Sequence, residues 1–418
     1  MRRLQLTWMM LLAALCCWAQ QVVVSGTVLD AETRKAIAGA SVTLGVRAGT
    51  DVAASIGSVS VVTNEDGFFT LKTSHQAEVL FVSHLGYRSQ RISLTNEPQE
   101  PLKVMLRPAT VELDEVLVMA TNPRDLVTAA IRNIPDNYSK QPEIHHCFYR
   151  EKVMKRQNYI NVAEGVIDMY KSGYGSGIYR DRAAIRKGRR LLSPRQGDTL
   201  SVKVMGGPTT ALVLDVVKNR EFLLNTQELS LYELRMEWPT TIADRRQYVV
   251  SLTPRERTPY ALYFGKLYID QETLAFTRIE LDLDMRNREK ATNQMLVKKP
   301  RGLRFKPKEL SCVVDYRKGD DGLMHVAYIR NTFRFNCDWK RRLFATSFTA
   351  VCEMAVTSTT NDNVQPIRGR DSFDQRDAFF DKVDFFRDST FWQDYNIIEP
   401  TESLDKAVNK LLKRGRAN

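Results

Sequence analysis

The apolar and polar positions between Val22 and Leu106 form short runs separated by turn residues. Runs of β-branched and aromatic side chains alternate with Gly, Pro and the sequence Asn-Glu-Asp-Gly, in which Gly67 supplies the positive φ of a tight turn. Short strands joined in this way are typical of an antiparallel β-sandwich. We expect much of the sandwich core to come from Phe68, Phe69, Leu71, Val79, Phe81 and Val82.

Longer strands are predicted in the second half of the chain. Residues 262–285 have the pattern of a hairpin, because Ile279, Leu281 and Leu283 alternate with acidic residues along one strand. Long strands joined by short turns form antiparallel sheets. The predicted fold class is therefore mainly β (α+β overall), with an N-terminal antiparallel β-sandwich followed by a large curved antiparallel sheet with packed helices. Three further long strands are expected at 309–316, 323–337 and 343–357.

Apolar periodicity and capping residues predict three helices. The first spans 123–133, with an asparagine before it as the cap and proline at its first position. The second spans 208–218, and the third follows Thr401, whose hydroxyl is expected to cap it. A stretch rich in Gly and Arg at 173–195 is predicted to be a loop. The aromatic stretch at 391–400 is predicted to dock on the sheet as an irregular arm.

The first 19 residues have the composition of an export signal. Arg2 and Arg3 precede an apolar run that ends at Trp18, and the small residue Ala19 favours cleavage after it. No later stretch reaches about 18 consecutive apolar residues, so no membrane span is expected after signal removal. The predicted division is a signal peptide at 1–19, the sandwich at 20–108, a linker strand and helix at 109–140, a β-rich antiparallel-sheet domain at 141–360, and a C-terminal arm and helix at 361–418.

Two sets of motifs resemble parts of known cell-envelope proteins. The first set, at 24–30, 39–44, 63–71, 78–87 and 103–108, resembles the carboxypeptidase-regulatory-like (transthyretin-like) domain of the Bacteroidetes cell envelope. The second set, at 129–140, 148–151 and 163–170, resembles an uncharacterised extension of the same proteins. The resemblance implies a sandwich fold and a periplasmic or outer-membrane-associated location. It implies no reaction.

Two shorter segments carry further resemblances. Residues 111–118 resemble the segment that links this sandwich to the plug in TonB-dependent outer-membrane transporters. The hairpin at 262–285 and the strands after it are similar in pattern to the LolA lipoprotein-carrier group, whose concave sheet face holds acyl chains. The first resemblance implies a linker, an edge strand or a recognition strand. The second implies a hydrophobic ligand for the large sheet.

The charge of the chain indicates which classes of partner it could bind. The chain has 61 basic and 49 acidic residues, for a net charge of +12, with basic clusters at 186–190, 298–308 and 410–416. In an exported protein such clusters favour anionic lipid head groups, lipopolysaccharide or an acidic protein over nucleic acid. A solvated basic surface without a ligand is the alternative.

Four cysteines follow the predicted signal, at Cys147, Cys312, Cys337 and Cys352. Cys312 and Cys352 are expected two strands apart, both opposite residues 327–328, and a separation of about 9.5 Å is beyond disulfide reach. Buried free thiols are therefore predicted. Lipid attachment at the two cysteines of the signal stays open, although the residues before them do not suit a lipobox.

One group of residues could support hydrolytic or metal chemistry. His145, His146 and Glu151 form the only His/Glu cluster of the sequence, but adjacent residues of a strand point to opposite faces. The two histidines therefore cannot chelate one ion from a regular strand, and no metal site is predicted. Arg150 with Glu151 or Glu164 is predicted to form an ion pair between strands instead of an acid/base couple.

Three other candidates have structural explanations. His84 next to Ser83 has no paired acid, and the acidic turn at 64–67 lacks the alternating ligands of a calcium loop. The acids of the hairpin strand are expected on its solvated face, at Glu280, Asp282 and Asp284. The sequence therefore predicts no catalytic, cofactor-binding or metal-binding residue and no cofactor.

These observations predict an exported, non-enzymatic cell-envelope protein. Its sandwich would be an interaction module, and its β-rich domain would bind a hydrophobic or anionic envelope component, whether protein, lipid or glycolipid. One alternative is an envelope hydrolase with a non-standard site built from Glu151, Glu164 or His145. Another is a structural partner of an outer-membrane TonB-dependent complex that offers residues 111–118 as an added strand.

Overall fold

The computed structural model of this chain describes residues 22–45, 59–74, 78–94, 100–109, 122–193, 202–204, 206–255, 258–319, 321–339, 345–374, 377–385 and 391–415. The predicted signal at 1–19 and the predicted linker strand at 111–118 lie outside these residues. Among the helices within these ranges, none has both the length and the apolar character needed to cross a bilayer.

Seven short strands form a two-sheet sandwich in the N-terminal part of the chain. They are β1 (Val22–Asp30), β2 (Ser41–Gly45), β3 (Val59–Val62), β4 (Phe68–Thr73), β5 (Val79–Ser83), β6 (Gln90–Ser93) and β7 (Leu102–Leu106). One sheet has the order β4-β1-β7 and the other β3-β2-β5-β6. The strand pairs are antiparallel as predicted, except that β7 runs parallel to β1.

The sandwich core lies between these sheets and contains Phe69, Leu71 and Val82 as predicted. The turn before β4 has Gly67 at φ +74°, which confirms the predicted tight turn. The core prediction is wrong for three side chains, because each is next in sequence to an inward-pointing residue and alternate side chains leave a strand on opposite faces. These three are only half-buried: Phe68, Val79 and Phe81.

A large sheet occupies most of the remaining chain. Its strands are β8 (Glu143–Lys155), β9 (Asn158–Lys171), β10 (Arg182–Leu192), β12 (Tyr232–Ile242), β13 (Arg245–Pro254), β14 (Tyr263–Asp270), β15 (Phe276–Leu283), β17 (Leu303–Lys318), β18 (Met324–Trp339), β19 (Thr346–Thr360) and β20 (Asp384–Phe385). Their order is β12-β13-β14-β15-β17-β18-β19-β8-β9-β10-β20. All pairs are antiparallel except β10 with β20, which confirms the predicted large antiparallel sheet. Two short strands, β11 (Lys203–Val204) and β16 (Leu296–Lys298), pair separately.

Six helices pack around the sheets in the described part of the chain. They are α1 (Pro123–Arg132), α2 (Ile134–Asn137), α3 (Pro208–Leu214), α4 (Thr226–Ser230), α5 (Arg288–Met295) and α6 (Glu402–Gly415). The Asn122 side chain accepts from the Arg124 amide at 2.9 Å, and the Thr401 hydroxyl accepts from the Leu404 amide at 3.1 Å, so both predicted caps are confirmed. Helix α3 ends four residues earlier than predicted, because Asp215 leaves the helix to take part in a buried polar network.

The stretch at 173–195 is not the predicted loop, since Arg182–Leu192 form β10 against β9. Acids of β9 pair with two of its four arginines. Arg186 lies 2.5 Å from Asp168, and Arg189 lies 2.9 Å from Glu164. Arginine at such positions stabilises strand pairing through cross-strand ion pairs. The Gly and Arg content of the segment predicted a loop because it carries no information about the acids on the neighbouring strand.

The four cysteines among the described residues are free thiols, as predicted. Cys312 on β17 and Cys352 on β19 both lie opposite Asn331 of β18, so they are two strands apart. The expected position of their shared neighbour, at residues 327–328, is wrong because the strands continue further into their turns than predicted: Lys318 pairs with Met324, and Cys337 pairs with Thr346. A register shift at 315–316 moves β17 by one more residue along β18. Cys147 and Cys337 are buried, and Cys352 is half-buried.

The large sheet has an inner and an outer face, and the chain itself packs on both. On the inner face, side chains such as Tyr149 and Phe333 pack with α3 and with the segment after it, including Val216 and Leu223. The sandwich and the C-terminal arm at 391–400 pack on the outer face. There Val62 of the sandwich, strand residues such as Phe148, and Trp392, Ile397 and Ile398 of the arm form one apolar cluster. The predicted docking of the arm is confirmed.

Candidate functional site

Four ionisable side chains meet at the start of β8, beside the turn between β17 and β18. Glu143 and His145 are two residues apart on β8, so the strand points both to the same face. His145 Nε2 lies 2.9 Å from Glu143 Oε2, and His325 Nδ1 lies 3.1 Å from the same oxygen. The far nitrogen of His325, Nε2, lies 3.0 Å from Asp321 Oδ1. We call these four residues the inner cluster.

Burial and charge set the protonation of the inner cluster. Burial lowers the pKa of His145, whose ring is therefore neutral, and its Nδ1 has no hydrogen-bond partner among the described residues. Burial also acts to lower the pKa of His325, but hydrogen bonds to Asp321 and Glu143 raise it to about 9. For Glu143 burial raises the pKa, and the two histidines outweigh it, so the carboxyl stays ionised. In this state a His325 cation lies between two carboxylates.

His145 and His146 point to opposite faces of the sheet, as predicted, but Glu151 is not the partner of His145. His146 lies on the outer face, where Nδ1 is 2.8 Å from Asp168 and Nε2 is 3.0 Å from Thr360. His145 meets Glu143 and His325 instead of Glu151. The i,i+2 spacing of Glu143 and His145 was visible in the sequence. The approach of His325, 180 residues further along the chain, had no local signal.

A buried polar network borders the inner cluster. Lys171 lies opposite Glu143 in the β8–β9 register, and its ammonium pairs with the carboxylate of Asp215. The Asp215 carboxylate also accepts from the hydroxyls of Tyr174 at 3.0 Å and Tyr316 at 2.8 Å. Burial raises the pKa of Asp215, but Lys171 and the two tyrosines together hold it below its usual range. Asp215 therefore ties the segment after α3 to β9 and β17 through a charged group fully removed from water.

A row of alternating charges crosses the outer face of the same sheet. In the register of adjacent strands, Arg189 faces Glu164, Glu164 faces Arg150, Arg150 faces Glu353 and Glu353 faces Arg330. Arg150 Nε lies 2.7 Å from Glu164 Oε1, which confirms the predicted ion pair between neighbouring strands. Opposite charges at directly facing positions stabilise strand pairing.

The acids of this row predict how stability responds to acid. Burial raises the pKa of Glu164, but Arg150 and Arg189 outweigh it and lower the value from 4.5 to about 2. Burial acts in the same way on Glu353, and its basic neighbours lower its pKa from 4.5 to about 2. A carboxyl whose pKa is lower in the folded chain contributes its full stabilisation at pH values above its pKa in the unfolded chain. It loses that contribution as the pH falls towards its pKa in the folded chain. We expect the free energy of unfolding to fall by about 2–3 kcal/mol per carboxylate between about pH 5 and pH 2, measured by urea denaturation.

A matched pair of variants checks this pH dependence. Glu164→Gln removes one of the titrating groups, so its stability should depend less steeply on pH than that of the wild type in this window. Glu32→Gln, at an exposed position of the sandwich, should keep the wild-type dependence. Equal slopes for Glu164→Gln and the wild type would contradict the assignment.

The residues of the hydrolase hypothesis do not come together. Glu164 lies on the outer face, bound by two arginines and by the Trp392 indole N–H at 3.0 Å. Glu151 lies on the inner face, where it accepts from the Tyr149 hydroxyl at 2.7 Å and the Gly207 amide at 2.8 Å. His145 is six residues away on the same strand, a distance of roughly 20 Å. The hypothesised set therefore forms no common site.

The remaining sequence candidates have local partners. His84 Nδ1 contacts the Leu85 carbonyl oxygen at 3.1 Å, and Glu280 pairs with Arg278 at 2.7 Å. The side chain of Asn64 accepts from backbone amides of its own turn. Asp282 is exposed and Asp284 pairs with Arg286. Residues 111–118, the predicted added strand, lie outside the described residues.

The three basic clusters have different environments. In the first, Lys187 donates to the Phe391 carbonyl and Arg190 to the Phe380 carbonyl, in addition to the ion pairs of Arg186 and Arg189. The third cluster extends beyond the described residues. The second lies along β16, the following turn and the start of β17, where all members except the half-buried Lys306 are exposed. We call it the basic strip: Lys298, Lys299, Arg301, Arg304, Lys306 and Lys308.

The structural neighbours of this chain are distant. A DUF1329 family protein from Desulfovibrio piger has 10% identity and a TM-score of 0.25, and the match covers 59% of this chain and 95% of that one. MucB in the Pseudomonas aeruginosa MucA/MucB complex has 13% identity and a TM-score of 0.18, covering 57% and 99%. A putative membrane-associated protein of unknown function from Bacteroides fragilis has 10% identity and a TM-score of 0.15, covering 81% and 96%. At TM-scores this low, these likenesses carry no weight for the function of this chain.

Family comparison gives a firmer result for one part of the chain. No curated protein matches the sequence. The model that matches residues 24–118 is that of the CarboxypepD_reg-like domain, and the strands of the sandwich, β1 to β7, all lie within or at the edge of that range. The chain therefore contains a region similar to the CarboxypepD_reg-like domain, as the N-terminal motifs predict.

Proposed function

We propose that the protein is an exported, non-enzymatic cell-envelope protein whose large sheet binds the phosphate-bearing head groups of an anionic envelope lipid or glycolipid. The observation that carries this proposal is the basic strip. Along β17 its side chains alternate with the buried residues Leu303, Phe305 and Pro307, so they project together from one side of the strand.

The strip is unusual because its charge is largely unbalanced. Lys306 pairs with Asp338 at 3.5 Å, whereas the other five members make no ion pair within the part of the chain that the structure describes. On β10, in contrast, Arg186 and Arg189 are bound by acids of β9. Unbalanced basic side chains grouped on one surface attract anionic head groups at a membrane surface. Val297, which is 57% exposed beside Lys298, adds an apolar contact of the kind a lipid surface accepts.

The packing of the inner face favours an anionic ligand over a hydrophobic one. An acyl-chain carrier needs free apolar surface, whereas the inner face of this sheet packs against α3 and the residues after it. In this proposal the sandwich is an interaction module that binds the C-terminal arm and the large sheet of the same chain. Its Lys72 ammonium donates to the Trp392 carbonyl at 2.9 Å, and its Glu65 pairs with Arg330 at 3.0 Å.

Charge reversal in the basic strip is expected to abolish most membrane binding. Each basic residue near an anionic surface contributes about 1 kcal/mol, so replacing Lys298, Arg301 and Arg304 together by Glu should weaken binding about 100-fold. The measurement is co-sedimentation with vesicles of phosphatidylglycerol and phosphatidylcholine, at low and high salt. Binding of the wild type should fall as salt rises, because the attraction is screened.

The matched control reverses three exposed basic residues of the sandwich, Arg88, Lys103 and Arg107, and so makes the same change in net charge. This control should lose less than about threefold in binding if the strip is the contact surface. Equal losses in the two triple variants, or equal binding of the wild type to vesicles of phosphatidylcholine alone, would refute the proposal.

A further inference from the structure

We propose that Glu143, His145 and His325 form a binding site for a divalent transition-metal ion, zinc in the first instance. One ligand atom from each of the three residues lies within 4.8 Å of the others. The residues come from two strands that are far apart in sequence, and the tertiary fold alone brings them together. Two imidazoles and one carboxylate are a ligand set that binds zinc and leaves a fourth position for water or another ligand.

The distances suit an ion at the centre of these three residues. Zinc binds imidazole nitrogen and carboxylate oxygen at about 2.0–2.2 Å, so neighbouring ligand atoms of a tetrahedral site are roughly 3.3 Å apart. The Glu143 oxygen lies 2.9 Å from His145 Nε2 and 3.1 Å from His325 Nδ1. Small rotations of these side chains would open the two separations to the distance that the ion needs.

Asp321 accepts a hydrogen bond from His325 in the way that a carboxylate normally supports a metal-binding histidine. When a histidine binds a metal through one nitrogen, a carboxylate or carbonyl normally accepts the hydrogen of the other nitrogen and holds the ring in place. His325 directs Nδ1 to Glu143 and Nε2 to Asp321, at 3.1 and 3.0 Å. Nε2 of His325 therefore already has the outer partner that this arrangement requires. Nδ1 is directed at a fellow ligand, Glu143, and would release its proton when the ion binds.

Among the described residues, the neighbours of the site leave no uncompensated positive charge beside it, and one side of the site is accessible to solvent. Lys171 faces Glu143 across the β8–β9 pair, but its ammonium is neutralised by Asp215. The side chains of His145 and Glu143 are 0% and 4% exposed, whereas those of His325 and Asp321 are 13% and 31% exposed. An ion would enter from the side of Asp321 and join β8 to the start of β18.

The test is zinc binding by the full-length, tag-free protein after removal of metals with a chelator. Calorimetric titration should show a single zinc ion per chain for the wild type, and zinc should raise its melting temperature. Cobalt in place of zinc should give visible d–d absorption without a thiolate charge-transfer band, because no cysteine is among the proposed ligands. His325→Gln should weaken zinc binding by more than about 100-fold, and Asp321→Asn by about 10- to 100-fold.

His146→Gln is the matched control, because that histidine is adjacent to His145 but faces away from the site. It should bind zinc within about twofold of the wild type. Asp321 lies on the turn at the surface, so Asp321→Asn decides the matter even if His325→Gln does not fold. The proposal is overturned if the wild type takes up no zinc, if His146→Gln loses binding as much as Asp321→Asn does, or if cobalt shows thiolate coordination.

Discussion

Replacing Asp215 by alanine is expected to lower the free energy of unfolding by about 3–5 kcal/mol. The substitution leaves the ammonium of Lys171 buried without its partner, since the Lys171 and Asp215 side chains are 2% and 1% exposed. It also removes the acceptor of the Tyr174 and Tyr316 hydroxyls. An uncompensated buried charge costs far more than the loss of a surface contact. Urea denaturation followed by circular dichroism measures the change.

The control for this prediction is Asp136→Ala. Asp136 pairs with Lys140 on the surface, where their side chains are 79% and 63% exposed, so its loss should change stability by less than about 0.5 kcal/mol. Similar losses for Asp215→Ala and Asp136→Ala would show that the buried network does not stabilise the fold as described.

Replacing Trp392 by alanine is expected to cost about 3–5 kcal/mol and to release the C-terminal arm. The Trp392 ring packs edge-on against Phe148, with centroids 5.6 Å apart, and its indole N–H donates to Glu164 at 3.0 Å. Truncation removes a large apolar side chain from the contact between arm, sandwich and sheet and leaves one oxygen of the buried Glu164 without that donor. Limited proteolysis should then cut the arm at a protease concentration that leaves the wild type intact.

Trp238→Ala provides a matched control, because Trp238 is 60% exposed on the edge strand β12. This change should affect stability by less than about 0.5 kcal/mol and leave proteolysis of the arm unchanged. If Trp392→Ala is as stable and as resistant to protease as Trp238→Ala, the arm is not held by the contacts of Trp392.

Local sequence patterns predicted most of the long strands and the starts of three helices, because these depend on neighbouring residues. The alternation of Ile279, Leu281 and Leu283 with acids predicted a strand buried on one face, and all three are buried. The cap at Thr401 and the free thiols followed from equally local rules of hydrogen bonding and strand spacing. The same alternation rule placed His145 and His146 on opposite faces.

Local sequence patterns gave a wrong prediction for segments whose structure depends on a residue far away in the chain. The arginine-rich stretch at 182–192 is a strand because β9 supplies Glu164 and Asp168 as partners. Helix α3 ends early because Asp215 is drawn to Lys171 and Tyr316. In both cases a tertiary ion pair or hydrogen bond outweighs the local preference of the segment.

The sequence by itself determined the mainly β character, the two-part organisation and the separation of the adjacent histidines, since side-chain alternation along a strand needs no partner to be recognised. Only the tertiary structure decided which strands are neighbours. Pairing of β8 with β19 joins residues about 200 positions apart, and the packing of β18 beside them brings His325 to Glu143 and His145. The spacing of Glu143 and His145 can be read along the chain, but the approach of His325 cannot, because it is set by sheet register and not by local periodicity.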